Sequence, residues 1–345
     1  MHRSPGSNDE KSTVIKHVVQ ELVSEMKITA IVCTYNRCQS LARALESLAL
    51  SILPEATEWD VLVVNNNSSD QTEAVVRDIC LRYPGRFRYL FEPQQGKSYA
   101  LNTGIREARG NILAFVDDDV IVEPEWLQNL TFVLQDGQWA GSGGRILPEP
   151  GFVPPDWLAL EGPLSLIGAL CAYCNLGDKS CEFTDPPYGA NMAFRKEMFC
   201  KHGYFRTDLG PRPNSEMRSE DTEFGRRLMT AGERLCYVPS AIVYHEIHER
   251  RVRKEFFLAW WFEFGRGSVR ATGRGLGAWQ TLKILGRTCL TTLEWVLTIN
   301  SQHRFYRKCR VWYGGGKIVE ACQRARGADS AGRQVKRQAG GESRI

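Results

Sequence analysis

The chain has 345 residues, of which 43% are hydrophobic and 24% charged, and 44 basic against 40 acidic residues leave a net charge of +4. That balance excludes a mostly disordered chain and gives no electrostatic reason to expect nucleic acid as a partner. Residues 1–26 hold no apolar secretory segment, and no apolar run reaches the roughly 18 residues a spanning helix needs, so the eleven cysteines point to a reducing, cytoplasmic setting.

After a polar leader, 1–26, with a short helical pattern at 14–23, strand and helix signals alternate. "ITAIVCT" (28–34) reads as a strand, 40–50 as a helix, "WDVLVVN" (59–65) as a strand and 70–83 as a helix. "RFRYLFE" (86–92) is a third strand, and "PQQGK" leads into a helix beginning "SYALNTG", followed by the strand "ILAFV" (112–116). Continuous apolar strands between amphipathic helices predict an α/β fold with a mostly parallel sheet buried on both faces. Then come a strand at 139–147, a Pro-rich connection at 148–157 into an irregular insert, and a strand running into a helix at 188–199. A helix at 219–232 has Ser219 ahead of first-turn acids and Gly232 at its end, and a strand at 234–245 ends on His245. Aromatic-rich amphipathic helices are expected at 250–269 and 276–299, and the Gly- and Arg-rich end after 327 reads as disordered.

Ligands of open α/β sheets gather beyond the carboxyl ends of the strands. Three polar clusters fall there: "TYNR" (34–37), "NNNSSD" (65–70) and "DDD" (117–119). Alternate residues of a strand share a face, so Asp117 and Asp119 can point together, and paired carboxylates favour a hard divalent cation such as Mn2+ or Mg2+. Taken alone, the triplet fits equally a solvated acidic turn before the helix that Pro124 and Glu125 announce. Cys171, Cys174 and Cys181 form the tightest thiol group. Their C-x-x-C lacks an obvious partner pair for zinc, so structural thiols are expected.

The segments "IVCTYNR", "VLVVNNNSSDQT", "GKSYALNTGI", "GNILAFVDDDV", "YGANMAFR" and "SEDTEFGRRL" occur in this order over 28–245. Together they resemble the family-2 glycosyltransferases of the GT-A fold. The resemblance implies a GT-A (Rossmann-like) domain at 27–248, with a nucleotide-sugar half at 27–147 and an acceptor half at 148–248. A helical extension at 249–326 and a basic tail at 327–345 would follow. It also implies transfer of a sugar, with inversion and with Mn2+ or Mg2+, from a nucleoside-diphosphate sugar to a hydroxyl of a saccharide or lipid-linked saccharide. Surface polysaccharide or glycolipid assembly is the expected setting.

Carried onto this chain, the family pattern implies that Asp119 binds the metal and that Asp117 or Asp118 contacts the ribose or the ion. Thr34, Tyr35 and Arg37 would hold the base and phosphates, with Asn36 as a helix cap in the competing reading. Asn65 stands where the family usually has an aspartate that accepts from the base. An amide oxygen still accepts, so uridine is the expected base, and Asp70 starts the next helix. Gly96 permits a tight approach, Lys97 can reach a phosphate or stay solvated, and Asn102 matches a position near the nucleotide. Asp221 would be the base that activates the acceptor, with Glu220 beside it, unless both acids only complement the helix dipole. His245 would complete the metal site, with His248 as competitor. Asn191 and Arg195 would line the acceptor side, Arg195 being equally suited to a structural ion pair, and Asp208 would touch the acceptor.

Aromatic and basic residues crowd 249–267, as suits either a helix lying on an anionic membrane surface or a core helix under the sheet. Two other function classes compete. A nucleotidyltransferase would show a Gly-rich loop with Arg and Lys directly after the first strand, and "TYNRCQS" is not one. A non-catalytic nucleotide-sugar-binding protein draws its support from Asn65, while Asp119 and Asp221 speak against it.

Overall fold

The structure is a computed structural model that describes residues 26–341 apart from 161, 214–216 and 274–275, with side chains up to 325. The helix expected at 14–23 lies outside the described residues. Two compact units emerge: Met1–Pro150 with Cys174–Phe205 and Phe224–Glu246, and Gly151–Tyr173 with Arg206–Glu223 and Ile247–Ile345.

The first unit is built on a nine-stranded sheet in the order β3-β2-β1-β4-β8-β6-β9-β5, with β7 on β9. The first four strands are β1 (Lys27–Thr34), β2 (Glu58–Asn65), β3 (Phe87–Phe91) and β4 (Ile112–Asp117). All four run parallel, as the alternation of strands with α1 (Cys38–Ala49), α2 (Thr72–Arg82) and α3 (Lys97–Glu107) predicts. Ala30, Ile31, Val32, Val61, Leu62, Val63 and Val64 are wholly or almost wholly buried, as a strand covered on both faces requires.

The second half of the sheet is mixed. Its strands are β5 (Val120–Val122), β6 (Gly141–Pro148), β7 (Cys181–Glu182), β8 (Asn191–Arg195) and β9 (Leu235–His245). β8 inserts antiparallel between β4 and β6, whereas β6 and β9 pair parallel. Two registers position the site. Thr34 pairs with Asn65 and Cys33 with Asp117, so the carboxyl ends of β1, β2 and β4 lie level. β5 runs antiparallel to β9 and sets Val120 opposite His245.

The second unit gathers around Leu158, Leu166, Leu170, Ile247, Phe257, Phe305 and Cys309. Its main helices are α8 (Lys254–Ala271), α9 (Ala278–Leu297) and α10 (Ser301–Gly341), with α8 and α9 both packed on α10. A Cβ on Gly265 would collide with the Tyr313 carbonyl, and one on Gly316 with the Phe262 carbonyl, so glycine sets the close approach of α8 to α10. Within the stretch 148–248, expected as the acceptor half, residues of both units alternate. Residues 151–173 and 206–223 join the C-terminal helices because the insert's leucines find their apolar partners there.

One other expectation changes. Residues 327–341, read as disordered, continue α10 as helix, since Ala, Gln, Lys and Arg between the glycines are good helix formers extending an existing helix. The aromatic rings of α8 are all half-buried or buried rather than displayed. Trp157 stands edge-on to Phe257 at 5.5 Å and to Phe305 at 4.9 Å. Burial pushes the Cys171 thiol up to about 12 and the Cys174 thiol to about 11, which keeps both neutral.

Candidate active site

The level strand ends bring the acidic triplet, the first-strand turn and the end of β9 into one cluster. Asp118 and Asp119 form the turn from β4 to β5, and the Glu246 N–H donates to the Asp119 carbonyl at 2.8 Å. Asp118, Asp119 and His245 are 4%, 2% and 3% exposed. Three carboxylates could not share such a place without cations, and two side chains supply them. Arg37 Nη1 donates to Asp118 Oδ1 at 2.9 Å and to Asp119 Oδ2 at 2.8 Å, while Lys97 Nζ donates to Asp117 Oδ1 at 2.6 Å.

Electrostatics separates the three acids. Burial pushes the Asp117 carboxyl up, but Lys97 outweighs it and holds the group below the ordinary carboxylate range. For Asp118 burial prevails over the pull of Arg37 and the carboxyl is raised. Arg37 is raised in turn, first by the charge of Asp118. On the side away from Arg37, His245 Nε2 lies 3.5 Å from Asp119 Oδ1, and its Nδ1 lies 3.1 Å from the Glu246 carbonyl. One ligand atom from each of Asp117, Asp119 and His245 falls within 4.8 Å of the others. Two carboxylate oxygens and an imidazole nitrogen suit Mn2+ or Mg2+. His248 belongs to the other unit and is absent from this group.

The loops around the cluster are tied down by side-chain amides. Asn36, at φ 51°, accepts from the Ser69 N–H at 2.7 Å and so braces "TYNR" against "NNNSSD" instead of capping α1. Asp70 accepts from the N–H of Thr72 at 3.0 Å and of Cys38 at 2.9 Å, which fixes the starts of two helices. Asn65 accepts from the Ser68 N–H at 2.9 Å and donates to the Tyr89 hydroxyl at 3.1 Å. Thr34 is buried, and the Tyr35 ring is 42% exposed, open for a planar ligand.

Sequence reasoning passed over Asn66 and Glu246. Asn66 donates to the Gln94 carbonyl at 2.8 Å and accepts from the Gly96 N–H at 2.7 Å, holding the loop that delivers Lys97. Gly96 has φ 139°, which suits only glycine, so the loop cannot be built otherwise. The second Asn of a triple Asn was the available signal. Glu246 pairs with Arg43 at 2.6 Å and follows the His, but its type alone carried no signal.

Three expected site residues are used elsewhere. Both ends of the Asn102 amide bond the backbone of Phe205, at 2.8 and 3.0 Å, so it pins a loop rather than facing a nucleotide. Asn191 is 0% exposed: its Nδ2 donates to the carbonyls of Arg145 and Ala241 and its Oδ1 accepts from the Trp126 indole. Both N–H groups of that amide and one lone pair of its oxygen are thus used within the core. Arg195 pairs with Ile112 at the start of β4, the end of the sheet opposite the triplet, and donates to the carbonyls of Trp139 and Leu134. It is a structural staple, through carbonyls rather than an ion pair.

Glu220 and Asp221 open α7 (Glu220–Thr230), in the stretch that belongs to the second unit. Glu220 is buried, while Asp221 is half-exposed and accepts from the Thr222 N–H at 2.7 Å. Asp208, in the same unit, is paired bidentately with Arg206 at 3.0 and 2.8 Å.

Residues 29–199 match the family described as Glycosyl transferase family 2. The chain is 25% identical over 247 residues to a glucosyl-dolichyl phosphate glucuronosyltransferase of Haloferax volcanii, covering 68% of this chain and 75% of the relative. It is 27% identical over 230 residues to the succinoglycan biosynthesis protein ExoM of Rhizobium meliloti, covering 66% and 68%. Its fold resembles that of the mannosyltransferase PcManGT from Pyrobaculum calidifontis in complex with GDP-Man and Mn2+, with a TM-score of 0.55, 17% identity and coverage of 97% and 88%. A strand-end acid cluster on this sheet, the matched segment and these relatives lead to one conclusion: residues 29–199 are a glycosyl transferase family 2 segment, and the fold is GT-A.

Proposed function

We propose that the chain transfers a sugar from a nucleoside-diphosphate sugar to a hydroxyl acceptor with inversion, in a reaction that needs a divalent ion. The observation that carries this reading is the Asp117, Asp119 and His245 donor set inside a buried cluster of carboxylates that Arg37 and Lys97 hold together. Asp117, Asp119 and His245 would hold the ion; when bound, it supplies positive charge where the departing diphosphate becomes more negative. Arg37 and Lys97 stand ready to exchange a carboxylate for a phosphate oxygen, and the Tyr35 ring offers a face to the base. Asp221 would take the acceptor proton, so that a direct attack on the anomeric carbon inverts it.

A saccharide or lipid-linked saccharide is the acceptor class we favour. The glucosyl-dolichyl phosphate in the archaeal relative's name and the succinoglycan in the rhizobial one support it. Among the described residues no helix is long and apolar enough to cross a membrane, so work at the inner face of one would be peripheral.

The test is release of nucleoside diphosphate from a panel of uridine and guanosine diphosphate sugars with Mn2+, with and without chelator. Chelator should abolish release, and Asp221→Asn should abolish transfer while donor binding by calorimetry persists. Full transfer in chelator, or by Asp221→Asn, would overturn the assignment.

A further inference from the structure

Helix α9 has two unlike faces. Thr281, Ile284, Thr288 and Trp295 are half-buried; Thr288 fills the space beside Gly314, and the Trp295 ring stands 6.3 Å from Trp312 of α10. On the other side Trp279, Leu282, Leu290, Leu293, Val296 and Leu297 are 66, 59, 58, 57, 61 and 70% exposed. At 100° per residue these side chains fall within an arc of roughly 120° that contains no charged residue. Such a stripe is no remnant of a core, because no residue of α9 is buried. Contiguous exposed apolar surface of this kind marks an interaction site.

Charge identifies the occupant. Residues 278–317 contain seven Lys or Arg and one acid, Glu294, which lies 3.8 Å from Arg307. Lys283 and Arg287 border the stripe on one edge, with Glu294 between them in projection, and the Lys283 ammonium sits 5.1 Å from the Trp279 ring centre, an arrangement suited to a headgroup layer. A second copy would bring the same positive border against itself. An anionic bilayer would meet the border with opposite charge and the stripe with acyl chains. Three charged residues bar α9 from crossing, so it lies in the plane of the surface.

We propose that α9, and not the aromatic helix α8, is the membrane-contacting element of this chain: an in-plane helix that seats in the headgroup and acyl boundary of an anionic bilayer. The juxtaposition that carries it is an uncharged leucine stripe edged by Lys283 and Arg287 on a helix whose other face packs on α10.

The full chain is floated with vesicles of phosphatidylcholine alone and with added phosphatidylglycerol, at low and high salt. Binding to the anionic vesicles is expected, weakening as salt rises. Leu290→Glu with Leu293→Glu should cut the bound fraction about tenfold or more while thermal unfolding is unchanged. Lys283→Gln with Arg287→Gln should cut it roughly fivefold per charge removed and flatten the salt dependence. Failure of the wild type to float, or flotation undiminished in the leucine variant, overturns the proposal. So does a dimer in sedimentation that the leucine variant splits. No nucleotide sugar enters the assay, so its failure leaves the proposed transfer reaction untouched.

Discussion

Both units bury charge, and they resolve it differently. In the helical unit Glu320 is wholly buried and accepts from Arg270 Nε at 2.6 Å and Arg266 Nε at 3.3 Å, while Arg266 also reaches Glu263 at 3.1 Å. Two acids meet two bases, and the set is closed. In the sheet unit Asp117, Asp118 and Asp119 meet Arg37 and Lys97, with His245 beside Asp119. In that set ligand atoms of Asp117, Asp119 and His245 fall within 4.8 Å of one another, an arrangement that suits a cation. Burial of charge is common to both; the convergence of metal-ligating atoms is what separates a site from a brace.

The largest effect should come from breaking the balanced set. Glu320→Gln leaves the largely buried Arg270 guanidinium without its acid and takes one of two acids from Arg266, and should lower unfolding free energy in urea by about 3 kcal/mol, with donor binding intact once folded. Asp119→Asn should behave in the opposite manner. Turnover falls about a hundredfold, equivalent to roughly 3 kcal/mol of barrier, while metal-free stability holds or rises because a crowded carboxylate has been neutralised. Equal losses of stability in the two variants would erase the distinction.

A smaller effect sharpens the comparison at the rim of the site. Asp70→Asn weakens two bonds to helix-start N–H groups and should cost about 1 kcal/mol. Burial pushes the Asp70 carboxyl up, but the bonds from Thr72 and Cys38 outweigh it and hold the group below its ordinary range. Its stabilisation is therefore present above the unfolded value of about 3.9 and disappears as pH falls through the folded one. Melting curves of wild type and variant should converge below about pH 4. Least of all, Leu290→Glu on exposed α9 should shift stability by no more than about 0.5 kcal/mol.

Much of the first unit could be read from sequence because parallel strands make simple patterns. The strand expected at 28–34 is β1 (Lys27–Thr34), and that expected at 59–65 is β2 (Glu58–Asn65). Polar residues that follow such strands converge by topology, which is why Arg37, Asn65 and the aspartates could be grouped in advance, whereas Lys97 and His245 joined them through the family resemblance. Asn102, Asn191 and Arg195 could not be placed. An amide inside a motif looks the same whether it faces a ligand or closes a backbone gap, and only the antiparallel insertion of β8 decides where its residues point. The same holds for 151–173, whose partners lie far along the chain and leave no local period.

The three-segment build of the helical unit also bears on how the protein is made. Leu158, Leu166 and Leu170 leave the ribosome long before Phe257 and Phe305, the residues that cover them. During that interval the insert has no apolar cover of its own, and the sheet strands on either side of it can pair first. Chain ends cut before α10 would strand these leucines permanently. The C-terminal helices are thus a late-arriving half of a core, and a shortened chain would be expected to aggregate rather than to reveal a smaller working enzyme.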